Sequence, residues 1–233
     1  IGKIINKIEE LGLSENTLFI FTSDNGGIRA ISNQSPLRAG KGSYYEGGIK
    51  VPLIFSWRGK IKEASKSYER VSNIDFFPTI QNIIGYKNKD LKLDGIDLNP
   101  IFDGRKIEKR ALFYHFPIYL QAYNVQEDNG TDPLFRTRPG SVIIEDNWKL
   151  HHYFENDKKE LYNIENDISE SYDLSKVNFQ KTTELFNSLN LWREANNAPI
   201  PFEKNIKYDQ KFVDSINLLI IDGKLSGRIN TNW

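Results

Sequence analysis

The chain has 233 residues, 39% of them hydrophobic and 27% charged, the balance of a globular protein with enough apolar surface for a substantial core. Its 31 basic and 31 acidic residues cancel, so no global field draws it to nucleic acid or to an anionic membrane. No apolar run approaches the roughly 20 residues of a bilayer crossing, and zero Cys excludes disulfides, thiolate zinc sites and a Cys nucleophile.

From the start, Ile1, Ile4, Ile5, Ile8 and Leu11 recur at helical spacing, predicting a packed helix that Gly12 closes in a left-handed cap. No charged segment followed by an apolar stretch precedes it, and the chain opens on Ile1 with no Met anywhere, so it reads as a piece of something longer. Thr17 to Thr22 (TLFIFT) is short, apolar and rich in β-branched and aromatic residues, as a strand buried on both faces would be. Val51 to Trp57 is a second such strand, and helix followed by buried strand suggests a parallel α/β sheet. Asn73 to Gly85 predicts a helix with Asn73 as N-cap and Gly85 just past its end.

Beyond Arg110 the pattern changes. Ser141 to Asp146, Lys149 to Phe154 and Glu160 to Ile164 are short strand-like runs separated by polar turns, which predicts an antiparallel meander. From Asn178 to Glu194, residues Phe179, Thr182, Phe186, Leu189 and Trp192 or Arg193 lie on helical spacing, giving a helix able to cover one face of that sheet. Lys207 to Trp233 reads as a short helix plus a loose tail. The expected divisions are an α/β part over 1–117, a meander-and-helix subdomain over 118–201, and a tail over 202–233.

Two clusters carry chemistry. Ser23-Asp24-Asn25-Gly26-Gly27 directly follows the first strand, and ligands gather at the carboxyl ends of strands in parallel α/β sheets. Asp24 and Asn25 offer hard oxygen ligands suited to Ca²⁺ or Mg²⁺, although Asp-Asn-Gly taken alone is more readily a plain turn. In the second cluster, Pro36 to Gly48, Lys41 sits between Gly40 and Gly42, where an anion can approach both the backbone N–H groups and the ammonium. It is not a phosphate-binding P-loop, because Ser35 stands where the first glycine belongs and Gly42 follows the lysine. Alone, it reads as a solvated surface turn or an anion site.

Together, TLFIFTSDNGG and SPLRAGKGSYYEGGIKVPLIFSW resemble the sulfatase family in wording and in order. The resemblance continues through SNIDFFPTI, LDGIDLNPIF, ALFYHFPIY, NWKLHHYF and KELYNI, covering roughly the first 200 residues. It implies an α/β fold related to alkaline phosphatase. This chain would form the C-terminal portion of that α/β sandwich, followed by a small antiparallel-sheet-plus-helix subdomain. It also implies a Ca²⁺ ion, or Mg²⁺, that binds the sulfate and stabilises a formylglycine nucleophile. Asp24 and Asn25 then match the second pair of metal ligands, and Lys41 matches the lysine that contacts the sulfate and helps the leaving oxygen. Lys50 falls where many relatives have Arg. His115, in Phe113-Tyr114-His115-Phe116-Pro117, lies in a stretch where relatives often place a histidine beside the substrate, while burial as a structural residue is its other reading.

His151 and His152, adjacent on a strand, face opposite sides and read as structural. Arg136 and Arg138 either reach an anionic substrate from a loop or are solvated and ion-paired. Sulfatases make formylglycine from the first residue of Cys/Ser-x-Pro-x-Arg, and no such motif occurs here: the nearest string, Gln34-Ser35-Pro36-Leu37-Arg38, has Gln34 in that place. The nucleophile is therefore expected in a preceding half, and the chain by itself is expected to be inactive. The resemblance further implies a sulfate ester as substrate, a sulfated carbohydrate being favoured by the aromatic surroundings of Tyr114 and Tyr119, and a periplasmic or secreted location. The alternatives are a phosphoester or phosphonate-ester hydrolase on the same scaffold, or a non-catalytic binding module.

Overall fold

The computed structural model describes residues 1–86, 90–122 and 135–201. The expected helix and tail at Lys207 to Trp233 lie outside them. In chain order the elements are α1 (Gly2–Glu10), β1 (Phe19–Thr22), α2 (Glu46–Ile49), β2 (Leu53–Ser56), α3 (Phe76–Ile83), α4 (Asn99–Phe102), β3 (Leu112–Phe116), β4 (Leu120–Gln121), β5 (Phe135–Thr137), β6 (Gly140–Glu145), β7 (Trp148–Tyr153), β8 (Lys158–Asn163) and α5 (Phe179–Ala195). They divide into two compact units, residues 1–24 with 51–110, and residues 25–50 with 111–233.

In the first unit, α1 ends as its sequence dictates: Gly12 takes φ +70°, and the Leu13 N–H returns to the Ile8 carbonyl at 3.0 Å. Its apolar face is largely exposed, however: Ile4 is 61% and Ile5 42% exposed, and no residue of the helix is fully buried. β1 and β2 pair antiparallel, Phe19 opposite Ser56 and Thr22 opposite Leu53. The 30-residue connection between these strands, residues 23–52, would allow either direction, and the observed register is antiparallel. These two strands therefore do not form the parallel sheet that helix followed by strand suggested. Nor are the strands buried on both faces, since Phe21 and Ile54, opposite each other, are 43% and 56% exposed. The other face of the ribbon puts Phe55 against Phe76 and Phe102, with ring centroids 6.0 and 5.1 Å away.

The helix expected over Asn73 to Gly85 begins instead with a 3₁₀ turn, Asn73–Asp75, capped by Ser72, before α3 proper. Asp75 decides this. Fully buried, it accepts the Ser72 N–H at 2.7 Å and the Ile96 N–H at 3.0 Å and is ion-paired with Arg110, so the cap falls three residues before it.

In the second unit, β3, β6, β7 and β8 form an antiparallel sheet in that order. Alternation sorts its side chains. Ile143, Leu150 and Leu161 point to one face, where Leu185 and Leu189 of α5 bury them. The N-terminus of α5 is capped by Asn178, whose side chain accepts the Lys181 N–H at 3.2 Å. Val142, Ile144, Tyr153 and Tyr162 point to the opposite face, covered by Ala39, Tyr44 and Tyr45 from the glycine-rich segment. The sheet is thus sandwiched between a helix and the loop that carries Lys41.

Candidate functional site

Asp24 ends the first unit and Asn25 opens the second. Asp24 is exposed and has Ser23 Oγ at 3.4 Å from its Oδ1; the Asn25 amide donates to the Gly26 carbonyl at 2.9 Å. From there the second unit holds the two glycine-rich clusters together through the backbone. The Gly26 N–H donates to the Gly48 carbonyl at 2.8 Å and the Lys41 N–H to the Gly27 carbonyl at 2.9 Å.

Lys41 is fixed at both backbone ends. Its N–H is bonded to Gly27, and its carbonyl accepts from Arg136 Nη1 at 3.1 Å. Among the described residues its ammonium has no hydrogen bond and no ion pair, and the side chain is half-buried. The glycine after it is needed on two counts. Gly42 has φ +85°, and a Cβ there would sit 2.4 Å from Leu120 Cδ2 and 3.2 Å from Arg136 Nη1.

What stiffens this loop is a buried charged network under it. Lys149, on β7 and fully buried, bridges Glu46 Oε1 at 3.1 Å and Glu170 Oε1 at 3.0 Å. Glu170 also accepts from the Glu46 N–H at 2.5 Å and meets His151 Nε2 at 3.2 Å. Burial alone would push the Glu170 carboxyl up, but Lys149, His151 and the Glu46 N–H bring it down to about 2. Beside it, Tyr45 Oη donates to Glu160 Oε2 at 2.7 Å, and Tyr44 Oη donates between the Phe116 and Gly140 carbonyls at 3.0 and 2.8 Å. Arg38 lies over the Tyr45 ring, 4.1 Å from its centroid, and donates to the Glu170 carbonyl at 2.8 Å.

The remaining candidates fall into place around this frame. Lys50 is exposed and pairs with Glu46 Oε2 at 3.9 Å. His115, on β3, has both ring nitrogens engaged: Nδ1 with Ser141 Oγ at 2.8 Å and Nε2 with the Pro199 carbonyl at 2.9 Å. Burial lowers its pKa below the ordinary value, so the neutral ring accepts from the hydroxyl and donates to the carbonyl. His151 and His152 face opposite sides of the sheet. His151 joins the loop-side network, and His152 meets Arg193 of α5 at 2.9 Å and Asp157 at 2.8 Å. Of the two arginines expected on a loop, Arg136 lies instead on β5 and holds the Lys41 carbonyl, and Arg138 pairs with Glu155.

The sequence reading missed Glu46, Lys149, Glu170 and Arg38. One signal was available: in Lys149-Leu150-His151-His152-Tyr153, Lys149 shares a strand face with His151 and Tyr153. A lysine pointing inward needs a carboxylate.

The architecture is that of the sulfatases, an alkaline-phosphatase-like α/β fold: the crystal structure of Ps i-CgsB superposes with a TM-score of 0.66 at 30% identity, covering 82% of this chain and 39% of that one. Ps i-CgsB has also been solved with k-i-k-neocarrahexaose, and that structure superposes with a TM-score of 0.65. The Sulfatase family profile matches residues 1–86. A sulfatase of Formosa agariphila is 37% identical over 224 residues, 85% of this chain and 38% of the relative, and human steryl-sulfatase is 34% identical over 143 residues, 56% of this chain and 24% of the relative. The chain belongs to the sulfatase family. It spans well under half the length of these relatives.

Proposed function

We propose that this chain is the part of a sulfate-ester hydrolase that contributes Lys41 to the sulfate and Asp24 and Asn25 to the metal. The observation that carries the proposal is Lys41: both backbone groups are tied down while the ammonium has no partner among the described residues. A cation so placed is preorganised for an anion. As an S–O bond breaks, charge builds on the leaving oxygen, and an ammonium carried on an immobilised backbone can stabilise it with only its own side chain left to order.

The donor chemistry of Asp24 and Asn25 fits Ca²⁺ or Mg²⁺, being hard oxygen. Ca²⁺ takes about six to eight oxygens, more than this pair supplies, and the described residues hold no group of three His, Asp or Glu that would complete the set. We assign the missing charged ligands to a segment outside them. Bound there, the ion would supply positive charge to the sulfate oxygens. No Cys/Ser-x-Pro-x-Arg motif occurs in the 233 residues, so we assign the formylglycine to a segment beyond this sequence. A sulfated carbohydrate is the favoured substrate, supported by the oligosaccharide complex of Ps i-CgsB.

The test uses the full-length protein that contains this chain. Lys41→Ala should lower kcat/KM on an aryl sulfate by about 10²- to 10³-fold with the calcium content unchanged. Asp24→Ala should lower the calcium-to-protein ratio measured by elemental analysis. Full activity in the first variant or full metal in the second would remove that residue from its role.

A further inference from the structure

A second cationic feature lies beside the Lys41 loop and plays no part in the function just described. A cavity of about 380 Å³ is lined by Arg29, Ser35, Pro36, Leu37, Arg38, Ser169 and Ser171. Two guanidinium groups and three hydroxyls line it, and no carboxylate does. The nearby acids are committed elsewhere. Asp167 accepts the Ser171 and Tyr172 N–H groups at 2.7 and 2.9 Å and the Ser169 hydroxyl at 3.1 Å, and the Glu170 carboxylate turns away to Lys149 and His151.

Within the cavity the arginines differ. Arg38 is held by the Glu170 carbonyl and the Tyr45 ring, which fixes its charge in position. Arg29 has no hydrogen bond or ion pair among the described residues. Its stem lies against the lysine loop: a Cβ on Gly40 would come 3.0 Å from Arg29 Cγ, beside a closer 2.5 Å approach to the Gly27 carbonyl oxygen that makes glycine necessary there. Arg29 therefore packs next to the residue that precedes Lys41, and an anion held by it sits on the same pair of loops as the proposed sulfate contact.

We infer that this cavity is a second anion subsite, with Arg29 gripping a further sulfate or carboxylate substituent of a multiply charged sugar and the serine hydroxyls meeting its hydroxyl groups. Guanidinium suits such a group because its planar fork matches two oxygens at once. The inference rests on the sulfatase reading for its catalytic consequence and stands apart from it for binding.

Binding is measured first, by calorimetry on the protein, with three disaccharides: one disulfated, one bearing a sulfate and a carboxylate, and one monosulfated and otherwise neutral. Arg29→Ala should weaken binding of a doubly charged ligand about 10- to 100-fold and leave the monosulfated one within about twofold. Arg29→Lys should recover part of the loss. The ligand with the larger loss identifies the substituent. An equal change for all three ligands, or no change for any, would overturn the subsite, and thermal unfolding of Arg29→Ala guards against misfolding. In the full-length protein, the loss should fall on KM for the multiply charged substrate and spare an aryl sulfate. If no sulfate ester is turned over while the Arg29-dependent binding persists, the sulfatase reading fails and the subsite stands.

Discussion

Replacing Lys149 with methionine removes a charge from the centre of the network while keeping an unbranched chain of similar length. Two carboxylates, Glu46 and Glu170, lose a partner at 3.1 and 3.0 Å, and Lys149 and Glu170 are fully buried. Breaking one side of a buried pair leaves an uncompensated charge, at a cost of about 3–5 kcal/mol. A second route gives a similar size. A carboxyl lowered from 4.5 to about 2 corresponds to about 3 kcal/mol of preference for the charged form in the folded protein.

The sign follows from the direction of that shift. A depressed carboxyl contributes stability that is complete above about pH 4.5 and is lost as the pH falls through about 2. In Lys149→Met, burial dominates and the Glu170 carboxyl rises, so the variant should be worst at neutral pH and close part of its deficit on acidification. Urea unfolding at pH 7 should show a loss of about 3–5 kcal/mol, with a drop in melting temperature of roughly 10 °C. At pH 4 the deficit should be smaller, and adding Glu170→Gln should recover part of it at pH 7. A deficit below about 1 kcal/mol at pH 7, or one that does not change between pH 7 and 4, would refute the claim that this ion network anchors the loop.

Gly47→Ala puts a Cβ 2.2 and 2.3 Å from the Arg38 and Ala39 carbonyl oxygens, a clash of backbone on backbone that should cost about 1–3 kcal/mol or more and lower the melting temperature. Exposed Gly2→Ala, whose Cβ meets nothing within 4 Å, is the control. His152 is lowered from 6.5 to about 4, mainly by burial, and the Asp157 bond does not offset this against burial and Arg193. The unfolded chain then binds the extra proton first, so stability should fall as the pH drops from about 6.5 to about 4. His152→Gln should flatten that part of the stability curve, and a slope identical to the parent would contradict the assignment.

The meander and α5 were legible because their signals are local. Alternation in Ser141 to Ile144 and in Lys149 to Tyr153 marks two faces, and Thr182, Phe186 and Leu189 repeat at helical spacing, though Leu185, buried on the same helix, was not picked out. The direction of β2 was not legible, since TLFIFT and VPLIFSW state that strands exist and not how they run. β3 went unread as a strand for a related reason. Leu112 to Phe116 is a nearly continuous aromatic run, and its pairing with β6 across a long stretch of chain reveals what it is. The site divided the same way. Asp24, Asn25 and Lys41 announce themselves by glycine spacing, whereas Glu46 and Lys149 are 103 residues apart and nothing local links them.

That separation bears on how a Gly-Lys-Gly loop would become more than a surface turn, as proposed for Lys41. Glycine on both sides of Lys41 makes room for an anion and makes the backbone easy to disorder, so spacing alone reads more readily as a surface turn than as a site. In the proposed role, the loop is held by groups that carry no chemistry themselves. Arg136 and Gly27 fix the two backbone ends of Lys41, and Tyr44, Tyr45 and Glu46 tie the following turn to the sheet. With the backbone immobilised, an arriving anion has only the lysine side chain to order, about 2 kcal/mol of entropy at most rather than 1–2 kcal/mol for each residue of a loose loop. The ion network under β7 is costly to bury, and a purely structural core would do as well with apolar side chains there. Its position directly beneath the lysine loop makes sense if what must be held in place is a backbone that two glycines would otherwise leave free.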